Sequence, residues 1–197
     1  MKRKVLNIKL KGIAIIALLM VGFHPVSAQE ILEVLEGMED EKGKTKFTYL
    51  DNVLPGIEDI AIVGIGKKRG LANIKGELII PMEYQNIEVT EFGEDLMVKQ
   101  KGKVGIMDFT GKILIPIEYS YLETAVIGKG SDQKFYAAAK GKKYGILKAD
   151  GTVFCPLEYY YIDFGGGDDI VAYVGMKKGP GMVVLSDGTV RERGDGE

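Results

Sequence analysis

The chain has 197 residues, with 26 basic against 28 acidic side chains and a formal net charge of −2. Its one cysteine, Cys155, excludes an intrachain disulfide. Its one histidine, His24, excludes a zinc or copper centre built on His and Cys, and any Ser-His-Asp or Cys-His pair outside the first 28 residues.

Residues 1–28 read as a signal peptide. Lys2, Arg3, Lys4, Lys9 and Lys11 form a basic start, Gly12 to Phe23 is apolar, and Val26-Ser27-Ala28 is a small-residue cleavage site before Gln29. The apolar run is too short for a stable membrane span, which needs about 20 residues. Cleavage after Ala28 is therefore expected, leaving a secreted or periplasmic protein; an uncleaved anchor is the alternative. The leader carries five of the basic residues and none of the acids, so the remainder holds 21 against 28, a net of −7. That sign argues against nucleic acid, which needs a basic footprint. No stable membrane span is expected after cleavage.

Residues 29–58 are expected to be a degenerate first unit. Ile31, Val34, Leu35 and Met38 have helical spacing, yet Ile31 to Glu36 also fits a strand, and the strand is favoured. Lys42-Gly43-Lys44 is its turn, and Tyr49 is aligned with Tyr84 because both lie 21 residues before a repeat glycine.

Residues 59–197 are organised by repetition. Gly70, Gly76, Pro81 and Tyr84 recur as Gly105, Gly111, Pro116 and Tyr119, then as Gly145, Gly151, Pro156 and Tyr159. The steps between first glycines are 35 and 40 residues. Each copy reads as a hairpin running into a corner. Asp-x-x-Gly or Asp-Gly makes the turn, an apolar strand such as Ile113-Leu114-Ile115 follows, and proline ends the ladder because it has no N–H to donate. The tyrosine then lays its ring on the corner. Another apolar strand leads each copy and ends in a Lys/Gly turn, giving three strands per unit and a short fourth after Glu-Tyr. A last, degraded copy keeps Asp187-Gly188-Thr189-Val190 but has Met182 at the first-glycine place and no proline.

This pattern resembles the WG-repeat (KWG-repeat) proteins over roughly residues 59–190, with Arg69, Val104 and Tyr144 standing where the namesake tryptophan would be. The resemblance implies a β-rich repeat module, common in bacterial proteins and usually without an assigned activity.

The expected fold is all-β: three full antiparallel hairpin units with degenerate caps, stacked as a curved or solenoid-like array, with a partial β-propeller as the alternative. Glu83, Glu118 and Glu158 occupy one equivalent place per unit, which suits a structural role better than catalysis. Two carboxylates nevertheless suffice for glycoside hydrolysis, so a hydrolase acting on extracellular carbohydrate stays as the alternative. Tyr159-Tyr160-Tyr161 must expose at least one ring in a strand, so these three are candidate binding residues. Asp168 and Asp169 join them, in the irregular loop with Gly165-Gly166-Gly167. Asp163, Asp168 and Asp169 have the hard oxygens calcium takes, but acidic turns without metal are commoner and EF-hand spacing is absent. No metal and no cofactor is expected, and Cys155 matches Ile80 and Ile115 as a buried hydrophobe. The expected function is non-catalytic binding of a protein or glycan outside the cytoplasm.

Overall fold

In the computed structural model the described chain is all-β apart from one helix: four four-stranded antiparallel sheets, none closed into a barrel. The structure describes residues 28–53, 60–126, 134–164, 170–176, 178 and 181–193. They fall into two compact units, one ending at Ile87 and the other beginning at Glu88.

The first unit opens with helix α1 (Ala28–Glu36), which replaces the strand expected there. Ile31 and Leu35 decide it. Spaced i and i+4, they lie on one side of a helix, and both are fully buried; Glu33 and Glu36 face solvent. A strand would have sent Leu32 and Val34 to the opposite face from Ile31 and Leu35, with nothing assigned to cover them. Gly37 follows the helix, and Met38 N–H closes it by donating to the Leu35 carbonyl. A tight hairpin around Gly43 comes next, bridged by Glu39 and Thr45. The first sheet is β1 (Tyr49–Val53), β2 (Ile60–Ile65), β3 (Lys68–Asn73) and β4 (Leu78–Tyr84), in that order. Ile31, Leu35, Phe47, Ala61, Val63 and Ala72 form one buried cluster, so the helix covers a face of this sheet.

The other three sheets repeat the plan. The second is β5 (Asn86–Val89), β6 (Leu96–Gln100), β7 (Lys103–Met107) and β8 (Ile113–Tyr119), and the unit boundary falls within β5. The third is β9 (Tyr121–Val126), β10 (Lys134–Lys140), β11 (Lys143–Lys148) and β12 (Val153–Tyr159). The fourth is β13 (Tyr161–Phe164), β14 (Ile170–Gly175), β15 (Gly181–Leu185) and β16 (Val190–Glu192). Each is a meander.

Two sequence expectations are corrected by this pairing. The short strand after each Glu-Tyr corner does not extend its own unit; β9 pairs with β10, and β13 with β14, as the first strand of the next sheet. The corner carries the chain across, with Ser120 N–H donating to Ala139 O and Tyr160 N–H to Gly175 O. Tyr49 is likewise not the counterpart of Tyr84. It pairs with Gly64 as Tyr121 pairs with Ala139 and Tyr161 with Gly175, and the corner place falls to buried Phe47. Counting back from Gly70 misses by two because β1 and β2, of five and six residues, are each one residue longer than β5 and β6, of four and five.

The glycine–proline spacing has a steric cause. Along β11, pairing with β12 shifts between Tyr144 and Ile146 and again between Ile146 and Leu147, so the proline strand bulges over Gly145. The same two shifts occur over Gly70 and Gly105. A methyl on Gly145 would lie 2.6 Å from Cys155 O and 2.7 Å from the Pro156 carbonyl carbon, inside van der Waals contact. Glycine is needed there for room, not for backbone freedom. The second glycine answers the other need: Gly151 has φ +82 at the turn's end, where its N–H donates to Lys148 O. That turn recurs at Gly43, Gly76, Gly111 and Gly188.

In the second unit β10 is buried from Phe135 to Ala139, because the third sheet is covered on both faces. Tyr136 and Ala138 join Ile106, Ile115, Tyr119, Leu122 and Leu147 in one cluster. Phe135 belongs to another, with Ile146, Cys155, Tyr159, Ala172, Val174 and Val184. Alternate residues of one strand thus serve two cores.

Candidate binding surface

The corner tyrosines are part of the core. Tyr84, Tyr119 and Tyr159 are 8%, 6% and 5% exposed. Burial, then the neighbouring Cys155 thiol and the Glu158 carboxylate, push the Tyr159 hydroxyl up to about 12. Tyr159 is therefore drawn inward, away from the surface role considered for the Tyr159-Tyr160-Tyr161 run.

The other two tyrosines do face solvent. Tyr160 is 38% exposed and Tyr161 is 49% exposed. Tyr160 is held from both sides: its N–H reaches Gly175 O at 2.7 Å, and the Lys143 ammonium stands 4.1 Å from its ring centre. Lys143 is itself fixed by a 2.7 Å hydrogen bond to the Glu158 carbonyl. The Tyr161 ring lies over its cross-strand partner Gly175, where any Cβ would overlap it.

Sequence reasoning missed a second pair of rings. Tyr121 and Tyr144 flank Ala139 in one row across the third sheet and meet edge to face, centroids 5.9 Å apart. The small middle residue is what lets them meet. The same row in the first sheet is Tyr49–Gly64–Arg69, with the guanidinium 3.6 Å from the Tyr49 ring centre. Tyr121 also donates its hydroxyl to Glu123. Burial and that carboxylate push its pKa to about 12, so the hydroxyl stays protonated at neutral pH. The available signal was positional: Tyr121 and Tyr161 each follow a corner tyrosine by two residues.

The surface is polar around these rings. Lys140 pairs with Glu118 at 2.7 Å and sits 4.9 Å from the Tyr119 ring centre. Glu83, Glu118 and Glu158 are all exposed on the bulged strand. Among the described residues no three His, Cys, Asp or Glu side chains are grouped to hold a metal. Asp168 and Asp169 lie outside the described residues, as do Gly165-Gly166-Gly167; Asp163 is exposed on β13. Cys155 is fully buried, and burial first, then the Glu158 charge, push its thiol up to about 12, so it is an uncharged core residue at neutral pH. No helix of the described residues is long and apolar enough to cross a membrane.

No protein-family model matches the chain, and no curated protein matches it.

Proposed function

We propose that the chain is an exported, non-catalytic binding protein that holds a protein or glycan partner on the exposed tyrosines of its third and fourth sheets. The observation that carries this reading is the set Tyr121, Tyr144, Tyr160 and Tyr161: partly or well exposed rings, Tyr121 and Tyr144 meeting across Ala139, Tyr160 beneath Lys143 and Tyr161 over Gly175. Rings fixed in this way lose little freedom on binding and present flat apolar faces beside polar groups. The basic–apolar–small leader and the acidic remainder support export. The WG-like repeat supports a binding module.

The same reading takes the four sheets as a stacked array, curved or solenoid-like, with a partial propeller as the other arrangement. Two contacts inside the second unit support stacking. A methyl on Gly151, at the third sheet's turn, would lie 2.9 Å from Leu114 O on β8. A methyl on Gly188, at the fourth sheet's turn, would touch the Phe154 ring of β12 at 3.4 Å and Phe154 O at 3.7 Å. Leu114 and Phe154 hold the same place in their strands.

The test is binding by the mature chain to a glycan array and to immobilised envelope proteins, beside the Tyr160→Ala and Tyr161→Ala variants. Both variants should fold normally and lose binding at least tenfold. Full binding by both moves the surface elsewhere. The carbohydrate hydrolase reading is favoured instead if a single Glu83, Glu118 or Glu158 to Gln change abolishes glycan turnover without unfolding the chain.

A further inference from the structure

We propose that Gln29 becomes an N-terminal pyroglutamate once the leader is removed; this rests on the export reading above. Cleavage between Ala28 and Gln29 cuts at the very start of α1. Gln29 is exposed, while Ile31 and Leu35 behind it are fully buried in the first unit's core. The new chain end is therefore no loose tail. It is pinned within one turn of backbone N–H groups that have no intrahelical acceptor and that carry the positive end of the helix dipole.

An ammonium group placed there meets charge of its own sign, which favours the neutral amine. The neutral amine is the nucleophile the ring closure needs. Its nitrogen attacks the side-chain Cδ carbonyl, a five-membered lactam N–C bond forms, and the Cδ–Nε2 bond breaks. Nε2 leaves as ammonia, carrying the proton that the amine gives up. No oxidant, reductant or second substrate is required, and the product has no charge at the helix start. In the intact chain Gln29 Nε2 donates to Glu33 Oε1 at 3.3 Å, on an exposed part of the helix. Ring closure replaces that contact and leaves the burial of Ile31 and Leu35 untouched.

The experiment is intact-mass and N-terminal peptide analysis of the full chain expressed with its leader and recovered from the periplasm or medium of a bacterial host. The expected N-terminal peptide begins at residue 29, is lighter than its sequence by one ammonia, and resists Edman degradation until treated with pyroglutamyl peptidase. Gln29→Ala, processed at the same bond, should give a readable free amine. A peptide that begins at Gln29 with an open amine overturns the inference and leaves export standing. A chain end at any other residue overturns the cleavage reading and the inference with it.

Discussion

The third and fourth sheets share a turn, a strand order and a common core, yet only the third pairs a glycine within its third strand, Gly145, with a proline in its last, Pro156. In the third sheet the proline strand bulges across Gly145 with two shifts of register. In the fourth, β16 pairs with β15 without any shift, from Met182–Glu192 to Val184–Val190. There Met182, the residue at the glycine's place, packs half-buried against the same cluster that Cys155 and Tyr159 join. Glycine and proline are thus two halves of one device. Where the bulge is absent the space beneath it is filled by a side chain, and both residues disappear from the sequence together.

Substitutions in the two sheets sharpen this contrast. The largest effect is expected for Gly145→Ala, whose methyl meets fixed backbone; overpacking of this kind costs about 3 kcal/mol, read as a lower urea midpoint. Next comes Gly151→Ala, at φ +82 and close to Leu114 O, with a loss of about 1–2 kcal/mol in the same assay. A smaller effect belongs to Asp150. Its carboxylate accepts from Thr152 N–H at 2.9 Å and Thr152 Oγ1 at 2.7 Å, and these bonds hold its pKa below the usual value. A depressed carboxylate stabilises the fold above its unfolded pKa of about 3.9 and loses that contribution as pH falls through the folded value. Asp150→Ala should therefore melt lower than the parent at pH 7, and the gap should close on acidification below about pH 4. The least effect on stability is expected for Gly175→Ala, because the half-exposed Tyr161 ring can swing aside. The displaced ring should nevertheless cost partner binding, measured as a lost signal on the glycan and envelope-protein arrays. Unchanged binding would separate Tyr161 from the surface.

The repeat was legible because its signals are local. Asp108, Gly111 and Pro116 each act within a few residues, through a turn's φ, a capping carboxylate or a missing N–H. Pairing between distant strands leaves no such mark. Nothing local says that β9 abandons Tyr119's sheet for Ala139, or that Tyr121 meets Tyr144 across that alanine. The helix over Ile31–Leu35 was open for another reason: six residues rich in Ile, Leu and Val satisfy both periods, and the burial that selects one comes from Phe47, Ala61 and Val63. Phe47 stood unrecognised because a phenylalanine fills the corner that tyrosine fills elsewhere, two residues from where counting pointed. Of the surface, Tyr160 and Tyr161 were readable as a run that cannot all be buried. Lys143 was not, because it reaches Tyr160 from a different strand, β11.

One pair of unfolding curves tests the central claim. At Gly181, in the fourth sheet, an added methyl meets its nearest atoms at 3.7 Å and 3.8 Å, an ordinary contact. Urea unfolding of Gly145→Ala beside Gly181→Ala should show a large fall in midpoint for the first and an unchanged or slightly higher midpoint for the second. Equal losses at the two sites, or none at Gly145, would contradict a proline bulge that demands the glycine beneath it.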